Sequence, residues 1–199
     1  MSFDVNIEHM VVSKALPAAP LIAKLETLGS LSPGAKDALF NLPHAIREIG
    51  RHDVVLHEGD EAAHIYLLVD GCVFLSTVIP SGGRQIMALH IPGAILNLQN
   101  LFLPQMDHTI SALVPTKVAV IAHRDIRNLL EAHPVIATRL LHQTFIEAAI
   151  LPKMADECRT PHCSCQRCAF HLRICCADEG SWHVRRKHLR FSPDASRTR

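Results

Sequence analysis

The sequence predicts an α+β fold: an antiparallel β-roll flanked by helices, then one long helix and a tail expected to be disordered. Three observations carry this. Short β-rich runs separated by turn signals fill the middle of the chain, at a spacing that suits a roll better than alternating β-α units. Apolar residues before and after them recur at helical spacing. Composition and pattern both change at about Leu151. Residues 1–150 hold 10 Lys+Arg and 14 Asp+Glu, net −4, whereas residues 151–199 hold 10 and 5, net +5.

The 199 residues suffice for one core with an appendage. A formal charge of +1 gives no overall bias toward nucleic acid. Residues 1–19 form an N-terminal extension. Its opening, MSFDVNIEHMVVSK, lacks the basic and apolar regions of a secretory signal. No window approaches the ~20 apolar residues of a membrane span. The expected location is therefore the cytoplasm, where disulfides are rare.

The roll with its leading helices is expected over 20–123. Leu21, Ile22, Leu25 and Leu28 have helical spacing, and Ser32-Pro33 reads as a cap with Pro at the first helical position. REIGRHDVVLHEGD, HIYLLVDGCVFLSTVI, GRQIMALHI and HTISALVPTKVAVIA are the strand-rich runs. Glu58-Gly59-Asp60, Asp70-Gly71 and Pro80-Ser81-Gly82-Gly83 mark their turns. Cys72 sits in an alternating strand and reads as a buried thiol. Residues 124–151 hold a short helix ended by Pro134 and a longer one. On the latter, Ala137, Leu140, Leu141, Thr144, Phe145 and Ala148 share one face. That face packs on its own domain or joins two copies.

The order of helices, roll, short helix and long helix resembles the sensor half of the Crp/Fnr family of bacterial transcription regulators. The resemblance covers about Pro20 to Leu151. It is carried by PLIAKLETLGSLS, HEGDEAAHIYLLVDGCV, PSGGRQIMALHIPGAI and LQNLF…DHTISAL. It implies a cyclic nucleotide-binding-like roll, a homodimer joined through the long helix, a small-molecule effector, specific DNA binding and no enzymatic activity. Cyclic-nucleotide members use a Gly-Glu pair and a later Arg to hold ribose and phosphate, assisted by backbone N–H groups at a helix N-terminus. Aligned from Gly93, Asn97 stands for the Gly, Leu98 for the Glu and His108 for the Arg. Leu98 cannot accept a hydrogen bond, and His108 offers one or two donors rather than a fork. Cyclic AMP binding is not expected. Gly93, Asn97, Leu98, Gln99, Asn100, His108 and Thr109 remain candidates to meet another small anionic effector; for the polar residues, an ordinary turn or core-edge role is the competing reading. No cofactor is expected. Residues 1–71 contain no Cys, so the family's iron–sulfur mechanism has no support. No catalytic constellation stands out.

Residues 152–199 hold six of the seven cysteines, between Cys158 and Cys176. Cys165 and Cys168 form one Cys-x-x-Cys, but a zinc site needs a second pair at a sensible distance. A zinc-binding tail is thus the alternative reading; a standalone sensor acting on a partner protein is another. The family's Trp segment, Gly-Arg-Arg stretch and helix-turn-helix are missing. Read one base later, the codons of Met154-Ala155 must give Trp, and permitted shifted codons beyond it include a Gly-Arg-Arg and a Leu-Thr-Gln. The tail therefore reads as out of frame from near Leu151, with the DNA reader lost, the long helix shortened and the dimer weakened. The basic run HVRRKHLR reads as a solvated charge run, with nonspecific phosphate contact as the alternative.

Overall fold

The computed structural model describes residues 15–78 and 84–157, with backbone alone over 150–157. Four α-helices and seven strands follow one another as α1 (Ala19–Glu26), α2 (Pro33–Phe40), β1 (Ala45–Ile49), β2 (Val54–Leu56), β3 (His64–Asp70), β4 (Val73–Val78), β5 (Arg84–His90), β6 (Thr109–Ala112), β7 (Thr116–Ala122), α3 (His123–Ala132) and α4 (Pro134–Glu157). A 3-10 turn, Leu98–Leu101, lies between β5 and β6. The expected order of helices, roll, short helix and long helix is the observed one. The cysteine-rich tail lies outside the described residues, as do the tail's expected disorder and the frame-shift reading beyond Glu157.

All strand pairs are antiparallel and form two sheets, β1-β7-β3 and β2-β6-β4-β5. Side-chain alternation along β3 decides the layering. Ile65 and Leu67 enter a core shared with the helices, while Tyr66 and Leu68 enter a core between the two sheets. Strand β7 repeats the division, with Ala119 and Ile121 on the helical side and Val118 and Val120 on the other. The three-stranded sheet is thus the middle layer. Apolar burial of about 25 cal/mol per Å² on both of its faces is the main force holding the layers together.

Local chemistry agrees with the elements. Ser32 caps α2, its Oγ accepting from Ala35 N–H at 3.3 Å. Gly71 turns β3 into β4 at φ +92°, and a Cβ there would lie 2.7 Å from the Pro115 carbonyl oxygen. Cys72 is buried and unpaired, and burial pushes its thiol pKa up.

Three expected boundaries differ. Leu16 and Ala18 are buried in the helical core, and Leu16 N–H donates to the Phe40 carbonyl at 2.8 Å. The folded unit therefore begins inside the expected 1–19 extension. The long helix does not stop near Leu151 but runs to Glu157, through Pro152. Lys153, Met154, Ala155 and Glu157 are good helix formers, and their propensity continues the element whatever the origin of those residues. The stripe of α4 is also divided. Leu140 is buried in the helical core beside Ile136, whereas Leu141, Thr144, Phe145 and Ala148 are exposed and Ala137 is half-buried. Leu140 packs in the core of its own domain.

Candidate functional site

The candidate residues fall in the segment joining β5 to β6. Its first part is an added strand in all but length. Gly93 N–H donates to the Leu68 carbonyl at 2.8 Å, Leu68 N–H to Ala94 O at 2.9 Å, and Leu96 N–H to Tyr66 O at 2.8 Å. Leu67 and Ile95 pair as an antiparallel bridge. Gly93 takes φ +91° and lies so close to α1 that a Cβ would meet the Pro20 carbonyl carbon at 2.7 Å. Its glycine is a requirement of packing.

Where the backbone leaves β3, Asn97 continues the ladder with its side chain. Its Oδ1 accepts from Tyr66 N–H and its Nδ2 donates to His64 O, each at 2.9 Å. The residue is 0% exposed. Leu98 packs against the helical core. The two positions aligned with the family's Gly-Glu pair are therefore turned to the protein's own frame. Leu101 is buried in the same core, and its carbonyl accepts from Arg127 Nη2 of α3 at 2.7 Å. Asn100 is buried, with Nδ2 donating to Leu103 O at 3.5 Å and Oδ1 lacking a hydrogen-bond partner among the described residues.

Gln99 and His108 are brought together by Asp107, a residue the sequence reading did not single out. Asp107 Oδ1 lies 2.5 Å from His108 Nδ1 and 3.5 Å from Gln99 Nε2. His108 is 7% exposed, and its Nε2 is buried with no hydrogen-bond partner among the described residues. With Nδ1–H on the carboxylate, Nε2 is an acceptor in the neutral ring and a donor in the cation. Thr109 is used locally, its Oγ1 accepting from Glu58 N–H at 3.1 Å.

His90, at the end of β5, is the other histidine of this neighbourhood. Burial holds its pKa below the usual histidine range; Glu147 opposes that shift, while Lys24 and His108 reinforce it. Residues 85–116 contain neither Lys nor Arg. Arg84, just before them, sits 5.1 Å from the Phe74 ring centroid in a cation–π contact. No fork of the kind that binds a cyclic phosphate faces the 3-10 turn from within this segment. Elsewhere, a groove of 340 Å³ lies between the end of α2 and α3, lined by residues including Leu42, Pro43, Asp125, Leu129 and His133. Among the described residues no three His, Cys, Asp or Glu side chains converge as metal ligands, and no helix is long and apolar enough to cross a membrane.

The strands, the β5–β6 segment and α3 coincide with a known family: residues 46–133 match the model of the cyclic nucleotide-binding domain. The chain is similar to a cyclic nucleotide-binding domain from Methylobacillus flagellatus, at 19% identity and TM-score 0.64, covering 80% of this chain and 92% of that one. It is also similar to the catabolite activator protein of Thermus thermophilus (20% identity, TM-score 0.53, 70% of this chain and 64% of that one). The sensor domain of the transcriptional regulator DNR from Pseudomonas aeruginosa is a third likeness, at 20% identity and TM-score 0.51, covering 70% and 90%. At these identities the likeness is one of fold alone. No curated protein matches the chain.

Of the residues missed in sequence, Asp107 was legible as the neighbour of His108. Lys24, Arg127 and Glu147 had no local signal, because each meets its partner across a long sequence separation.

Proposed function

We propose that this chain carries the effector-sensing domain of a cytoplasmic Crp/Fnr-like transcription regulator that responds to a small molecule other than cyclic AMP. The single observation behind this is the β5–β6 segment. It lies within the residues that match the cyclic nucleotide-binding domain model, yet Asn97 and Leu98 face inward and His108 aligns with the arginine of the cyclic-nucleotide members. Asp107 orients the His108 ring, whose Nε2 has no hydrogen-bond partner among the described residues. The exposed part of the α4 stripe, Leu141, Thr144, Phe145 and Ala148, joins two copies of the chain. The role is regulatory, not enzymatic. The missing helix-turn-helix pattern after α4 argues that this chain has lost specific DNA binding.

Calorimetry with cyclic AMP at micromolar concentration is expected to show no saturable heat. A submicromolar dissociation constant overturns the reading of the cassette. In a gel-shift assay with competitor DNA at moderate salt, no operator is expected to be shifted specifically. A specific shift overturns the loss of DNA binding and leaves the sensor reading intact.

A further inference from the structure

The described residues begin at Ala15, and the chain enters the fold beside a groove. Leu16 is buried in the helical core, and its N–H donates to the carbonyl of Phe40, the last residue of α2, at 2.8 Å. The residues that follow Phe40, Asn41 to Pro43, line one side of the 340 Å³ groove, and Asp125, Leu129 and Ala132 of α3 line the other. Leu42 and Leu129 belong to the same core that takes Leu16. The groove is therefore an open margin of that core, apolar at its base. It also carries a carboxylate. Asp125 has an ion pair with Arg124, but that pair is long, 3.4 Å, and the arginine is largely exposed.

We propose that the chain's own segment Met10–Lys14 occupies this groove and straps α2 to α3. Reach, chemistry and charge favour that occupant. Leu16 already lies against Phe40, so the residues just before Ala15 meet Asn41 and Leu42 without a detour. The four residues Val11–Lys14 extend about 13–14 Å, enough to pass from Leu16 along the groove. Met10, Val11 and Val12 are an apolar run, and covering Leu42 and Leu129 with it removes apolar surface from water on both sides. Lys14 follows and brings an ammonium toward the Asp125 carboxylate. A segment joined to its site by one or two residues also acts at an effective concentration of about millimolar, an advantage that no separate partner has. A free small molecule is usually enclosed by its pocket, and this groove is open. The strap holds the helix whose Arg127 Nη2 donates to the Leu101 carbonyl, and it acts whatever effector the β5–β6 segment takes.

Trypsin cleavage after Lys14 in the full-length protein tests this, followed by mass spectrometry at low protease, where the rate tracks the undocked population. Val12→Ser removes an apolar contact from the segment. Ala132→Trp fills the groove from an exposed position of α3. Each is expected to raise the cleavage rate by about tenfold, the scale set by one buried Val side chain. The double variant is expected to be no faster than the faster single one, because both act on one contact. The wild-type rate is expected to be the same across a dilution series. An unchanged rate in Val12→Ser overturns the strap. An unchanged rate in Ala132→Trp, at a wild-type urea midpoint, places the segment elsewhere and also overturns it. Faster wild-type cleavage on dilution gives the groove to a second copy's segment and overturns the same-chain strap. If Ala132→Trp lowers the urea midpoint, Asn128→Trp, at another exposed residue lining the groove, takes its place under the same criterion.

Discussion

Asn97 is fully buried, and both ends of its amide are bonded to β3. Removing it strands the Tyr66 N–H and the His64 carbonyl in a place the fold has closed. A buried polar group left unpaired costs about 1–3 kcal/mol. Asn97→Ala is therefore expected to lower the free energy of unfolding by about 2–4 kcal/mol, read as a lower urea midpoint with an unchanged slope. Loss of less than about 0.5 kcal/mol would mean that water replaces the amide. The sequence reading held Asn97 as a candidate effector contact, by its alignment with the family's Gly, beside a polar-turn role. Its bonded partners lie 31 and 33 residues away, and nothing local points to them. His108 was legible as a departure from the family's arginine. Its Asp107 partner lay in plain view beside it.

The elements were far more legible than their contacts. Period and turn chemistry were enough to set the helix–roll–helix order, because the Ser32 cap and the Gly59 and Gly71 corners are local signals. The stripe on α4 was also found by period, but a period does not say which side of a broad stripe is covered. Leu140 lies at 5% exposure inside the helical core, while Leu141 and Phe145 stand at 55% and 63%. Leu140→Ala is expected to cost about 2–5 kcal/mol of stability, as a large-to-small change in a core. Leu141→Ala should stay within about 0.5 kcal/mol of wild type, as expected of a surface change. Sedimentation over a concentration series should show the opposite ranking, with the Leu141 variant raising the midpoint of self-association. Equal self-association in Leu141→Ala and wild type would overturn the proposal that this face joins two copies.

At the scale of the whole molecule, the three-stranded sheet belongs to both cores. Leu67 and Leu68 are neighbours in sequence that point into different cores. In the sequence the run from Ile65 to Leu68 is continuous and apolar, which marks a strand buried on both faces but not what covers each one. The layer order was for that reason invisible, although the strands themselves were not. Because one sheet serves both sides, the cores cannot unfold separately without exposing its other face. Leu67→Ala and Leu68→Ala are each expected to cost about 2–5 kcal/mol and to keep one cooperative transition. Two resolved transitions in either variant would show that the layers are independent.

In that sheet β3 lies at the margin, with β7 on one side, and the bonds from Gly93, Ala94, Leu96 and the Asn97 side chain occupy the other. An uncovered strand margin is a template for pairing with another chain. The β5–β6 segment is thus a guard against aggregation. Any ligand or substitution that pulls it from β3 bares a row of unpaired amides beside Ile65 and Leu67, and freedom to move in this segment is purchased against solubility.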